Sequence, residues 1–178
     1  MILSDSEILK QIRSGDIVIT PFVTENLGSN SYDVTLGSTI KTYVNPELDS
    51  AGKNAVQVFE IPATGYVLQP GKLYLAVTQE YTETQKCVPY LEGKSSLARL
   101  GISIHQTAGK GDVGFKGYWT MEITVVHPVR VYAGMKIGQL IYNEVKGEVL
   151  LPYDKKLTAK YNNSEQSPMQ SKNNENFK

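Results

Sequence analysis

The sequence predicts an all-β protein: a closed barrel or jelly roll with a short helix at its start and a mobile tail at its end. Three observations carry this expectation. From residue 17 onward, apolar residues recur with period two in many short runs. Glycine and proline turn signals separate those runs, and no second long stretch has helical period. The 178 residues are 40% hydrophobic, enough for one core, so the expected organisation is one domain over 1–152 and a tail over 153–178.

The opening helix is delimited by its own residues. Ser4 and Glu7 form a capping box, Leu3 and Ile8 occupy the flanking positions of a hydrophobic staple, and Gly15 supplies the stop. Ile8, Leu9 and Ile12 make one apolar stripe, which suits a short helix laid on something larger. Strands are then expected at Ile17 to Thr20, Tyr32 to Leu36, Ile40 to Val44, Val56 to Ile61 and Leu73 to Thr78. Further strands follow at Ile102 to His105, Trp119 to Val125, Val129 to Tyr132 and Ile137 to Tyr142. A helical turn from Ser95 to Leu100, ended by Gly101, stands apart from the strand pattern. After Pro152 the chain turns polar, with Tyr153, Lys160 and Tyr161 as exceptions. Such a segment cannot offset its ordering entropy and should move unless a ligand or a neighbouring subunit fixes it.

Composition excludes several function classes. Lys+Arg and Asp+Glu number 18 each, with no long run of either sign, so an extended basic face for nucleic acid is not expected. No apolar stretch reaches membrane-spanning length, and MILSDSEILK lacks the apolar run of a signal peptide. Cys87 is the one cysteine, so no internal disulfide forms; a cytoplasmic location is expected.

The chemistry concentrates in residues 93–122, GKSSLARLGISIHQTAGKGDVGFKGYWTME. The cations Lys94, Arg99 and Lys110 and the acids Asp112 and Glu122 lie there among glycines, with adjacent hydroxyls at Ser95 and Ser96; a segment that only filled a core would not need them. GKSS ends like a phosphate-binding Walker loop, but Val88 stands where the motif needs glycine. His105, His127 and Cys87 are far apart, which argues against a zinc site, and His105 lies in a strand pattern as a hydrogen-bonded structural residue. In the strand ending at Val125, Trp119, Met121 and Ile123 face one way while Thr120, Glu122 and Thr124 face the other. Alone, Glu122 could equally sit on a solvated face; beside Arg99 and Ser95 it reads as a pocketed carboxylate that can carry protons.

GKSSLARLG, HQTAG, a GD.GF.G turn, a strand carrying Glu122 and finally GMKIGQL together resemble the dCTP deaminase family of the dUTPase-like superfamily. MILSD, SYDVTLG and PYDKKLTAKY extend the resemblance over nearly the whole chain. It implies a homotrimer of distorted jelly-roll subunits with nucleotide sites at subunit interfaces. It further implies that Glu122 takes a proton from water, protonates the cytosine ring and helps ammonia leave. Ser95 and the backbone carbonyl of Ala108 would hold the water, and Arg99 would orient Glu122. Lys94, Ser95, Ser96 and Arg99 would lie along the nucleotide, Asp112 would meet the 3′-hydroxyl, and the backbone at Thr120 would read the base. Tyr153, Lys160 and Gln166 would belong to a tail closing over the triphosphate. Mg2+ would bridge the phosphates without activating the nucleophile, and no zinc is implied.

The chain also departs from the family pattern. Lys94 stands where many relatives have Arg, which keeps the charge and loses the planar fork. In AGKGDVGF, Gly109 resembles the bifunctional, dUMP-forming members and Lys110 the dUTP-releasing ones. An apparent extra residue in NNSEQ makes Ser164 compete with Gln166 for one role. The leading expectation is deamination of dCTP to dUTP and ammonia, with dUTP and dTTP as further possible ligands. The alternatives are a bifunctional enzyme forming dUMP and diphosphate, with Asp112 activating the second water, and a non-catalytic nucleotide-binding trimer.

Overall fold

The computed structural model describes residues 1–177; Lys178, the last residue of the expected tail, lies outside the described residues. In chain order the elements are α1 (Asp5–Ser14), β1 (Ile17–Thr20), β2 (Tyr32–Tyr43), β3 (Val56–Glu60), β4 (Tyr66–Leu68) and β5 (Tyr74–Thr84). Then come β6 (Cys87–Gly93), α2 (Ser95–Ala98), β7 (Ile102–Ser103), β8 (Lys116–Val125), β9 (Val129–Val131) and β10 (Lys136–Glu144). The main sheet runs β6-β10-β2-β5-β8-β7, with β1 on β5 and β3 on β2, while β4 and β9 form a separate ribbon. Every pairing is antiparallel. The segment leaving β7 runs along the free edge of β6: Leu91 N–H donates to Gly109 O at 2.7 Å and Gly111 N–H to Pro89 O at 2.8 Å. The two ends of the sheet thus meet, giving a nearly closed all-β barrel around Tyr32, Leu36, Tyr74, Met121, Ile123 and Ile137.

Helix α1 ends as its sequence dictates. Ser4 Oγ accepts the Glu7 amide, and Gly15 adopts φ 77° with its N–H directed at the Gln11 and Ile12 carbonyls. Leu3 and Ile8 are buried, and Leu3 N–H donates to Tyr142 O at 2.9 Å, which pins the helix entry to β10. The two expected runs at Tyr32 to Leu36 and Ile40 to Val44 form a single strand of 12 residues. A register shift against β5 between Leu36 and Ile40 breaks the alternation that made them look separate. Gly37 permits it, because a Cβ there would stand 2.8 Å from Val77 O.

The tail is laid along β8 rather than hanging free. Ser164, buried, accepts the Tyr118 amide at 2.8 Å and donates to the Tyr118 carbonyl at 2.9 Å, so one hydroxyl imitates a strand partner. Asn162 Oδ1 accepts Lys116 N–H at 2.9 Å, and Met169 N–H donates to Thr120 Oγ1 at 3.0 Å. A Cβ at Gly117 would come within 2.3 Å of Ser164 Oγ, so the glycine makes room for this docking. Ser164→Ala removes both bonds to Tyr118 and is expected to weaken tail docking by about 1–2 kcal/mol. Limited proteolysis after Pro152 should quicken several-fold while the domain melts near its original temperature.

Candidate active site

Strand β8 decides which side chains can do chemistry. Its buried positions alternate with half-buried ones, so Trp119, Met121, Ile123 and Val125 enter the core while Thr120, Glu122 and Thr124 face away. Glu122 and Thr120 open into a cavity of about 510 Å³, a size suited to a small molecule or nucleotide. The loop Ala108, Lys110, Gly111 and Asp112 forms one wall, Phe115, Tyr153 and Tyr161 another, and Met169 to Ser171 of the tail close it.

Within this cavity the charges are few. Asp112 receives Lys110 Nζ at 3.1 Å, and both stay partly exposed at the rim. Burial pushes the Glu122 carboxyl above its ordinary range, while hydrogen bonding from the Gln106 backbone and the charge of His105 oppose that rise. A raised carboxyl pKa favours the protonated folded form. Glu122 therefore opposes folding in full above its raised pKa and ceases to do so below the ordinary value of 4.5. The same setting gives a carboxylate that exchanges protons with a bound molecule more readily than a solvated one.

Glu122, Asp112, Thr120, Tyr153 and Ala108 share the cavity, as the sequence suggested. Ser95, Ser96 and Arg99 do not line it. Ser95 and Ser96 lie on α2 and Arg99 caps its end, all exposed, and Arg99 Nη1 donates to Ser95 O at 3.0 Å. The reason is local: Leu97 packs on the core and leaves the hydroxyls and the guanidinium outside. Within one chain, then, Arg99 does not pair with Glu122. Lys94 caps the start of α2 and forms an ion pair with Asp33, which also holds Lys136 Nζ at 3.1 Å.

In the tail, Gln166 Nε2 donates to Gln79 O at 3.2 Å and Lys160 Nζ bonds Asn176 Oδ1, both away from the cavity. Ser164, the competitor for the Gln166 role, is buried against Tyr118 instead. His105 does not behave as a hydrogen-bonded structural residue: its Nδ1 is buried without a partner, and its Nε2 lies 3.7 Å from Glu92 Oε2. Sequence reasoning did not single out Tyr43, Leu75, Phe115 or Tyr118 as cavity lining. Each falls within an ordinary strand or turn pattern, and no local signal distinguishes a residue that faces a cavity from one that faces a core.

A family profile described as dCTP deaminase-like matches residues 2–145. A Clostridium beijerinckii protein named "dCTP deaminase, dUMP-forming" is 48% identical over 164 residues, covering 92% of each chain. A Leptospira biflexa protein of the same name is 50% identical over 149 residues, covering 84% of this chain and 85% of its own. A Cytophaga hutchinsonii protein of that name is 47% identical over 161 residues, 90% of each. Among solved structures, the 2′-deoxycytidine 5′-triphosphate deaminase of Agrobacterium tumefaciens superposes with a TM-score of 0.65 at 20% identity. That match spans 81% of this chain and 48% of the other, and supports the fold. With a profile spanning nearly the entire barrel and relatives near half identity over most of its length, this chain belongs to the dCTP deaminase-like family.

Proposed function

We propose that this protein deaminates dCTP and then cleaves the phosphoanhydride, forming dUMP, diphosphate and ammonia. The observation that carries the reading is Glu122: a carboxylate in a nucleotide-sized cavity with its pKa raised by burial, in a chain whose relatives are named for this conversion. Those names favour the bifunctional alternative over the dUTP-releasing reading that led from the sequence. Lys110 is what keeps dUTP release as the second reading, since it brings a cation to the wall where bifunctional members often carry an aromatic residue.

In this mechanism Glu122 accepts a proton from water as the water oxygen bonds to C4 of cytosine, and passes that proton to N3. It then moves a second proton from the new hydroxyl to the amino group, and the C–N bond breaks with ammonia leaving. The Ala108 carbonyl and Ser95 hold the water, Arg99 orients Glu122, and Thr120 reads the base edge. Asp112 meets the 3′-hydroxyl and activates the second water, whose attack on the α-phosphorus releases diphosphate. Lys94, Ser96, Tyr153, Lys160 and Gln166 contact the nucleotide, the last three as the tail closes. Because α2 stands outside its own cavity, Ser95 and Arg99 serve the Glu122 of an adjacent subunit in a trimer. Mg2+ would arrive with the triphosphate and be held through it rather than by protein side chains. There it would neutralise phosphate charge.

Incubation with dCTP and Mg2+, resolved by chromatography, tests the reading. Expected products are dUMP, diphosphate and ammonia. Accumulating dUTP would favour the second reading, and unchanged dCTP with measurable binding would overturn both.

A further inference from the structure

Four hydroxyls of the cavity wall, on Tyr43, Thr120, Tyr153 and Tyr161, each accept a backbone N–H of the tail. Met169 N–H donates to Thr120 Oγ1 at 3.0 Å and Ser171 N–H to the Tyr43 hydroxyl at 3.3 Å. Lys172 N–H donates to the Tyr161 hydroxyl and Tyr161 N–H to the Tyr153 hydroxyl, both at 3.0 Å. An oxygen that accepts an amide proton still carries its own, and a hydroxyl can donate one bond while accepting another. Among the described residues none of these four hydroxyls donates to a protein acceptor. Ser164 shows what a purely structural clasp looks like in the same tail: its hydroxyl accepts the Tyr118 amide and donates to the Tyr118 carbonyl, using both functions. At the cavity only the accepting half is used, and the donating half is left over where a ligand would sit.

We propose that Tyr43 and Tyr161 are nucleotide-binding residues: their hydroxyls donate to acceptor oxygens of the bound nucleotide while accepting the amides of Ser171 and Lys172, so that ligand and tail strengthen each other's hold. This rests on the reading of the cavity as a dCTP site and adds two residues to it. The ligand chemistry follows from the donors, since several free O–H groups around one cavity match a molecule rich in acceptors, as sugar and phosphate oxygens are. A hydroxyl that donates becomes a better acceptor, because hydrogen bonds in series polarise one another. Occupancy of the cavity therefore tightens the bonds to the tail amides. The docked tail in turn holds the hydroxyls in place before the nucleotide arrives, which lowers the ordering cost of binding. Lys172 Nζ, 5.6 Å from the centre of the Tyr161 ring, adds to that hold. Tyr43 ends β2 and Tyr161 belongs to the tail, so the coupling spans the junction between barrel and tail, and it acts equally in both directions.

Amide hydrogen exchange at Ser171 and Lys172, followed by NMR with and without dCTP and Mg2+, tests this without relying on turnover. The full chain carries Glu122→Gln throughout, so that the nucleotide persists during exchange. Nucleotide is expected to slow exchange at both amides by roughly tenfold or more. Tyr43→Phe should abolish that slowing at Ser171 and Tyr161→Phe at Lys172, and each should weaken dCTP binding by roughly tenfold. Phenylalanine keeps each ring and its packing, and removes only the hydroxyl. A merely structural clasp would instead give faster exchange by the same factor with and without nucleotide, at unchanged affinity. Either that pattern, or full affinity in both variants, would overturn the proposal. If dCTP fails to bind while dUTP or dTTP gives the same variant-dependent protection, the proposed reaction falls and the coupling stands. Absence of binding by all three nucleotides would overturn both.

Discussion

Subunits carrying Glu122→Gln and subunits carrying Arg99→Ala are each expected to be inactive alone and to regain deamination when assembled together. The structure motivates this through an incompatibility within one chain. Glu122 opens into a cavity that Ser95 and Arg99 do not line, and α2 holds both helpers on the outer surface, where Arg99 Nη1 reaches only Ser95 O. The placement of α2 is fixed by Leu97 on the core and Lys94 on Asp33, so swinging the helix inward would expose one and break the other. If an adjacent subunit supplies Arg99, a mixed assembly contains sites that draw Glu122 from one parent and Arg99 from the other. Co-expression in equal amounts should leave about one site in four with both groups intact, a gain of orders of magnitude over either parent. Ammonia release, measured on assemblies separated by a tag on each subunit, checks it. Confirmed mixed assemblies with no recovered activity would mean that each site is built within one chain.

Much of the architecture was legible because its physics is local. The α1 cap needed only Ser4, Glu7 and Gly15, and the alternation of β8 put Glu122 on the face away from Met121 and Ile123. Where the fold departs from the sequence pattern, a long-range contact intervenes. Gly37 reads as a turn, yet it lets β2 pass Val77 with a register shift and continue as one strand. Pro89 argues against a strand in CVPYLEG, yet β6 forms because residues without helical or alternating signal, Gly109 and Gly111, bond its other edge. The tail looked mobile because it has little to bury. What fixes it is hydrogen bonding: Ser164, Asn162 and Met169 satisfy groups of β8, with Gly117 clearing the way. Composition cannot show a hydroxyl standing in for a strand. His105 was misread for the same reason, since its buried, unpaired Nδ1 does not follow from its neighbours in sequence.

The central claim is that a single carboxyl group, Glu122, moves the protons of deamination. Glu122→Gln keeps the volume and one acceptor oxygen of the side chain while removing the titrating site, and its neighbours Met121 and Ile123 stay fully buried in the barrel. Since burial opposes the charged form of Glu122, the amide should leave the fold at least as stable at neutral pH as the wild type. General acid and base work by such a group contributes roughly 10²–10⁴-fold, so kcat should fall at least that far. Binding of dCTP with Mg2+ should change by less than about tenfold, because it depends on groups that remain in place. The decisive measurement is therefore ammonia release and dCTP affinity determined side by side in wild type and Glu122→Gln. Affinity retained with turnover lost is the expected result; turnover retained in a folded Glu122→Gln protein would contradict the account.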